Sequence, residues 1–407
     1  MASSLLTPTM IAQEAVLQVR NALVFGNAVH RDFKKEFVKV GESVTIRRPV
    51  QFKVVDGATA TAADVTELKT SISVDKQKHV AWKFSSADLT LKIEDYSERY
   101  IKPAALALAN QVDVDIASLY KDVPQLVYGT GTTGNDPAAF ADIARVGRPL
   151  SDAGAPSDKL HLILNPAGYW AMANGLSNVY NETINKKIMR DAALGRFGNF
   201  DVFMSQNVQR HTNGLKAAAT ADVVNNSGTV SVTSNAIPNG TLSLTSLTTT
   251  DTFAVGDVIT IAGLYEVNPI TKQSTGQLKK LVVAAATTVT TTTALVQITP
   301  GIIHSTTDPY QNASGTVAAG ADVLILGATG ANRAQNLAFH TNAFGLVVCP
   351  LELPQGAGWA ARASHEGLSV RLVKDYDFTY DTEAVRMDIL YGVKTLYRDL
   401  AVRLEGA

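Results

Sequence analysis

The chain has 407 residues, 46% of them hydrophobic and 18% charged, with 36 basic against 37 acidic side chains and a formal net charge of −1. That length exceeds what one core usually serves, so two or three folding units are expected. The balanced charge gives no clustered Lys and Arg to displace counterions, which excludes tight sequence-independent nucleic-acid binding, and a charge content below the ~25% of ordinary domains suits a surface covered by copies of itself.

A single cysteine, Cys349, excludes an intramolecular disulfide framework and a cysteine-based metal cluster. It lies in the apolar run Gly345-Leu346-Val347-Val348-Cys349, where a small buried hydrophobe is expected rather than a nucleophile. Met1 to Met10 has no basic stretch followed by an apolar core, so no signal peptide is expected. No run of 18 apolar residues occurs, so no membrane helix is expected. The sequons at Asn181, Asn225, Asn239 and Asn312 then read as chance matches.

In chain order, Thr9 can cap a helix from Met10 to Phe25, with Ile11, Ala15, Val19 and Leu23 on one face and Glu14 near the start, where the helix dipole favours an acid. Such a stripe buries against this subunit's core or a neighbour. Residues 33–93 turn to period-two patterns, with strands at 44–49, 52–55 and 70–74 around the small-residue stretch Asp56–Ala63. A long β-hairpin with a flexible tip is predicted, and it needs another surface to lie on. From Ser97 to Lys121, Ile101, Ala105, Leu108, Val112, Ile116 and Leu119 form an apolar stripe on a long helix, kinked or opened by Pro103. Asp113 and Asp115, two apart, point to different faces and read as solvated acids rather than a catalytic pair.

Gly129–Gly134 lacks the Gly-Lys-Ser/Thr of a phosphate cradle and reads as a loop, before a helix that Asp136 caps and Pro137 opens. A strand at Leu160–Leu164 runs into Asn165-Pro166, which caps a helix carrying Tyr169, Trp170 and Met172, as in a mixed α/β unit. Composition then shifts. Asn213 to Arg333 holds only eleven Asp, Glu, Lys and Arg in 121 residues. Short alternating runs at 229–232, 241–244, 258–261, 281–283 and 295–298 predict an inserted β-barrel, with Thr287–Thr293 as a strand or hairpin. Further strands follow at 343–348, 368–374, 386–389 and 401–404.

No chemistry converges. The histidines at 30, 79, 161, 211, 304, 340 and 365 show no metal-binding spacing, and His161 and His340 sit among apolar residues as core histidines do. No Gly-x-Ser-x-Gly elbow occurs. Asp375, Asp377, Asp381 and Glu383, with Tyr376 and Tyr380, lack the glycine a calcium loop needs and read as turn acids. No enzyme, cofactor or metal site is expected.

Several stretches carry a resemblance. Ala81–Leu89 with Tyr100 and Ala107–Asp113, then Asn165–Tyr169 and Gly198–Val202, Val255–Gly263 with Tyr265–Pro269, Thr275–Gln277 and Ile298–Pro300, and finally Ile389–Lys394 resemble, in order, the tailed-phage major capsid proteins of HK97-type fold, in the P22-like variant. The resemblance implies an α+β fold: an N-terminal arm over 1–32, an extended β-hairpin loop over 33–93, the spine helix and part of a peripheral domain over 94–135, a capsomer-centre domain over 136–212 and 334–366, the inserted barrel over 213–333, and a peripheral C-terminal sheet over 367–407. It further implies homo-pentamers and homo-hexamers in an icosahedral shell assembled in the bacterial cytoplasm with a scaffolding protein and portal, with room for a decoration protein. The shell encloses DNA without sequence-specific binding and without a membrane.

Assembly contacts are expected from Glu14, Val19 and Leu23 of the arm, and from Tyr265, Asn268, Lys272 and Gln277 in a loop running from Tyr265 to Lys280. If Val19 and Leu23 meet another chain, Leu23→Asp blocks assembly without unfolding the subunit. A decoration or tail protein is the alternative; the long helix inside an α/β frame argues against such mostly all-β parts. An enzyme would need a convergent site.

Overall fold

A computed structural model of the chain describes residues 8–31, 43–47, 50–52, 67–85, 97–130, 137–177, 194–216, 221–223, 239–306, 308–315, 317 and 320–406. Its first elements are helix α1 (Pro8–Ala22) and the single turn α2 (Phe25–Ala28), then strands β1 (Ser43–Arg47), β2 (Lys69–Ser73) and β3 (Lys76–Ser85). A π-turn at Ser97–Ile101 leads into α3 (Lys102–Ala117) and a 3-10 turn at Ser118–Asp122. Next come β4 (Leu126–Tyr128), α4 (Phe140–Asp152), β5 (Leu160–Leu164), α5 (Pro166–Ser177), β6 (Arg196–Phe197), β7 (Phe200–Met204) and β8 (Arg210–Thr212). The insertion supplies β9 (Ala221–Val223), β10 (Gly240–Thr245), β11 (Thr252–Phe253), β12 (Val258–Val267), β13 (Ser274–Val283), β14 (Thr287–Thr288), β15 (Ala294–Thr299), β16 (Ala313–Ser314) and β17 (Asp322–Ile325). The chain returns through β18 (Asn332–His340), β19 (Phe344–Cys349), β20 (Trp359–His365), β21 (Leu368–Asp377), β22 (Thr382–Thr395) and β23 (Ala401–Glu405). The predicted strand at 229–232, most of that at 52–55, Asp56–Ala63 and Gly131–Asp136 lie outside the described residues.

Two compact units result: Met1–Thr45 with Ser71–Ile116 and Phe344–Lys394, and Ile46–Thr70 with Ala117–Ala343 and Thr395–Ala407. Strands β1 and β2 pair with each other as a two-stranded sheet.

In the first unit the described strands form one sheet, β19-β22-β21-β20, with β3 pairing along β22. Helix α1 packs on β20 and β21 through Ala12, Ala15, Val16, Val19 and Leu23, all buried. Only part of the predicted stripe is therefore right, because Ile11 is half-exposed while Ala12 and Val16 go inward. The helix ends at Ala22 rather than Phe25, where the Asn27 side-chain amide donates to the carbonyls of Leu23 at 2.6 Å and Arg20 at 3.0 Å. The expectation of two solvated acids is wrong. Asp113 is fully buried and accepts the Val24 and Gly26 amides at 2.8 and 2.9 Å, satisfying the N-terminal turn of α2. Asp115 accepts the Tyr391 hydroxyl at 2.7 Å and pairs with Lys76 at 3.2 Å. Acids two apart do face different ways, but each of the two meets partners within the unit.

The stripe Ile101, Ala105, Leu108, Val112 and Ile116 is buried as predicted, whereas Leu119 stays half-exposed and Tyr120 takes the inside position as the helix tightens to 3-10. Pro103 is the second residue of α3, just after the π-turn, in the first helical turn where a residue without an amide hydrogen is tolerated. Within the sheet, Asp388 is fully buried between two guanidiniums, Arg371 at 2.6 Å and Arg386 at 2.6 Å.

The second unit contains a mixed sheet ordered β4-β23-β18-β5-β7-β6 among the described residues, with β8 pairing on β18. Strands β5 and β7 run parallel in the register Leu162↔Val202, and α4 covers them with Ile143, Val146 and Leu150. This helix begins at Phe140 rather than Pro137. The Asp142 carboxylate, three residues in, accepts the amides of Ala138 and Ala139 at 2.8 and 3.1 Å and the Thr130 hydroxyl at 2.9 Å. The C-terminal boundaries also need correction. Strands β19 and β20 belong to the first unit's sheet, not to a capsomer-centre part ending at 366, and β23 pairs with β18 and β4, not with the strands before it.

The insertion is a barrel. Strands β13-β15-β10-β9-β17-β12 follow one another and β12 pairs back on β13, closing the cylinder, with β16 added on β12. Strand β10 alternates strictly, Leu242 and Leu244 inward, and meets Ile259, Ile261, Leu281, Val296, Ile298 and Val323 in one core. Thr287 and Thr288 do form a strand, paired with β11, and the following residues turn into β15.

Barrel and sheet are joined by a buried polar chain. Arg403 of β23 is 1% exposed; it donates to the carbonyls of Val123 and Gly256, each at 2.8 Å, and lies over the Tyr120 ring at 5.6 Å. The Tyr120 hydroxyl meets His211 Nδ1 at 3.1 Å, and His211 Nε2 meets Asp257 at 2.8 Å. Asp257 also accepts the Ala254 amide at 2.8 Å and the Gly214 amide at 3.2 Å. Arg403→Ala is predicted to destabilise the subunit by about 3–5 kcal/mol, because it leaves buried acceptors unmatched. Arg403→Lys should recover little, since one ammonium cannot span both carbonyls and the ring. Denaturant unfolding checks this, and a loss under about 1 kcal/mol would refute it.

Candidate assembly surfaces

Val19 and Leu23 are 0% and 3% exposed against their own subunit, so neither is offered to another chain while α1 lies on β20 and β21. Glu14 is half-buried on the same helix. Further along it, Arg20 ties the helix to Glu366 at 2.8 Å. The outward face instead presents Met10 and Leu17, 53% and 42% exposed. Leu23→Asp therefore buries an unpaired charge in the core and is predicted to yield unfolded or insoluble subunit. Leu17→Asp should leave the melting temperature within a few degrees of wild type; circular dichroism of both variants decides.

The stretch from Tyr265 to Lys280 is not a long loop. Strand β12 continues to Val267 and β13 starts at Ser274, leaving a tight turn. The backbone there already twists, and Asn268 Oδ1 accepts the amides of Ile270 and Thr271 at 2.8 and 3.0 Å. The Asn268 amide group donates to the Asp152 carbonyl at 2.8 Å, and Lys272, with φ of 57°, donates to Gln51 at 2.9 Å. Asn268 and Lys272 thus make contacts inside the subunit. Tyr265 is 41% exposed and Gln277 is exposed, so these two remain open to partners. Ile270 on the turn, 73% exposed, is an apolar residue the spacing did not single out.

Among the described residues no group of three His, Cys, Asp or Glu comes together as metal ligands. Cys349 is buried in β19, which pushes its thiol pKa up. The acids at 375–383 flank the β21–β22 turn: Asp377 accepts the Thr379 amide at 3.0 Å, Asp381 the Tyr376 hydroxyl at 2.7 Å, and Glu383 pairs with Lys374. At that turn Phe378 is 91% and Tyr380 73% exposed. Their alternation with Tyr376 was visible in the sequence as a period-two aromatic run.

Burial holds the pKa of His161 below its ordinary value, partly offset by Asp201, and does the same to His340, partly offset by Asp158. Burial thus favours the neutral form of both rings in the folded chain, whereas the unfolded chain takes up protons near pH ~6.5. Stability should therefore fall as pH drops through about 6.5 toward the folded-state values. Glu405, whose pKa burial raises, acts oppositely: it favours the fold as pH falls toward ~4.5. The melting temperature of the subunit should decline from pH 7 to about pH 5, and His161→Gln should flatten that slope. An unchanged slope would contradict the assignment.

A family profile described as P22 coat protein, gene protein 5, matches residues 1–406. No curated protein sequence matches the chain. A solved structure from Mycobacterium phage Che8 superposes with a TM-score of 0.50 at 14% identity, covering 94% of this chain and 90% of that one. The capsid structure of the cyanophage P-SCSP1u gives a TM-score of 0.48 at 10% identity, covering 95% and 88%. At such identities the likeness is one of fold, and it is the HK97-type fold. Among the described residues no helix is long and apolar enough to cross a membrane.

Proposed function

The chain belongs to the P22 coat protein family, and on that footing we propose that its copies assemble as pentamers and hexamers into an icosahedral shell. It is the major capsid protein of a tailed phage and a component of the virion. The family match across residues 1–406 carries this reading. Exposed apolar side chains such as Trp170 and Leu295, 58% and 67% exposed, are available for contacts between copies.

Assembly proceeds in the host cytoplasm on a scaffolding protein, with a portal at one vertex and room for a decoration protein. The shell encloses DNA as a wall, in keeping with a net charge of −1. Work is done by association rather than bond chemistry, as expected for a structural family. The barrel hairpin contributes contacts between capsomers through Tyr265 and Gln277.

Purified protein, with and without scaffold, should form megadalton particles in sedimentation velocity and negative-stain microscopy. A stable monomer under all salt and concentration conditions would overturn the reading. Tyr265→Asp is expected to lower particle yield several-fold while leaving the subunit's thermal unfolding unchanged; normal yield would remove Tyr265 from the contacts.

A further inference from the structure

The first unit's sheet has one covered face and one open face. Helix α1 packs on β20 and β21, on the side where Leu372 and Val385 meet Ile11 and Ile101. On the other side the register sets His79 of β3 opposite Asp388, Asp388 opposite Arg371, and Arg371 opposite Arg362 of β20. Side chains alternate along a strand, so Arg386 and Lys83 share that side. Lys83, Arg386 and Arg362 are exposed and Arg371 is half-buried, while Asp388 beneath them is fully buried.

The arginines are held in place. Arg371 donates to Asp388 at 2.6 and 3.2 Å and to the Glu352 carbonyl at 2.7 Å. Arg386 Nε donates to the other Asp388 oxygen at 2.6 Å, and Arg362 donates to the Leu351 carbonyl at 3.0 Å. Guanidiniums fixed in this way lose less freedom when they bind a further partner. Lys83, Arg362, Arg371 and Arg386 against the single carboxylate of Asp388 leave a surplus of three positive charges.

The tip of the β21–β22 hairpin has the opposite character. From Asp375 to Glu383 it holds four acids and no base, and Glu383 is paired with Lys374, which leaves a surplus of three negative charges. Phe378 is 91% exposed and Tyr380 73%, with Tyr376 half-exposed. Aromatics and acids are neighbours there, as Tyr376-Asp377-Phe378 and Tyr380-Asp381. A guanidinium pairs with a carboxylate through its edge and stacks on a ring through its face. The tip therefore presents both groups that an arginine cluster recognises.

We propose that the arginine face of this sheet receives the acidic, aromatic hairpin tip of a second copy of the chain. The tip cannot reach its own arginines: Arg371 and Asp377 stand on one extended strand, roughly 20 Å apart at ~3.3 Å per residue. The contact joins two different surfaces head to tail, and such contacts close into rings when repeated about an axis. It rests on the shell reading, which supplies the neighbouring copies.

The test uses conditions in which the wild-type chain forms particles. One variant reverses the face, Lys83→Glu with Arg362→Glu, and another reverses the tip, Asp375→Lys with Asp377→Lys. Each should keep the wild-type circular dichroism and melting temperature while particle yield falls by about tenfold or more, as loss of central contacts does. A chain carrying all four substitutions should assemble close to wild type, because the attraction is restored with its signs exchanged. A Phe378→Cys, Arg362→Cys chain, oxidised within particles, should give disulfide-linked oligomers that neither single variant gives. That measurement decides the matter if a charge reversal unfolds the subunit. Absence of linkage, or a fourfold variant that assembles no better than either pair, overturns the proposal. Normal yield from the tip variant beside a loss from the face variant also overturns it, because the face would then hold another polyanion, such as a scaffold or DNA. Failure of the wild-type chain itself to form particles would strike the shell reading and this proposal with it.

Discussion

Arg403 carries a permanent charge to a position where almost no water reaches it, and burial draws its pKa down to about 10. At neutral pH it is still a cation, so the fold must answer it with acceptors. Two carbonyls and an aromatic face do so, and they come from segments up to 280 residues away along the chain. A guanidinium held this way fixes register: sliding β23 by one residue along β18 would turn Arg403 to the opposite face and leave both carbonyls bare. The barrel, inserted between β8 and β18, meets the sheet through the Tyr120–His211–Asp257 extension of the same chain of bonds. Its two connections leave side by side, with the Asn213 amide bonded to the Ala331 carbonyl at 3.0 Å.

The first unit solves a similar problem with opposite charges. Asp388 sits at the centre of the sheet with two arginines, and Asp113 holds the α1–α2 corner by two amides. These acids are structural, and each replaces backbone or side-chain partners that water would otherwise supply. The barrel closes on itself and so hides its edges, while among the described residues the sheet of the first unit ends at β3 and β20. Edges of that kind are where a protein built for association keeps its contacts.

Much of the fold was legible because hydrophobic period reports secondary structure directly. Strict alternation at Gly240–Thr245 and the run at Leu160–Leu164 gave strands where strands are found, and the composition shift after Asn213 marked the barrel. Pairing was less legible. Ala401–Glu405 reads as a strand, but its choice of β18 over β22 depends on Arg403 finding Val123 and Gly256, partners no local window contains. Asp113 and Asp115 were misjudged for the same reason, since helical spacing says which way a side chain points and not what waits there. The turn at Asn268 was hidden by its length: a hairpin with bulged strands looks like a loop when alternation breaks between Thr260 and Tyr265.

The arm shows where such inference stops. A stripe of small apolar residues at helical spacing requires a buried face, and α1 has one. The stripe is equally satisfied by a neighbour's surface or by the subunit's own sheet, because the area removed from water is the same in both cases. What separates them is the fit of Ala12, Ala15 and Val16 against β20 and β21, small side chains that let the helix approach the sheet closely. Once that face is spent, the apolar side chains left to solvent are ones that burial has passed over, such as Leu17, Tyr265 and Phe378. In a shell subunit, contact residues are sought by incomplete burial in one chain rather than by any motif.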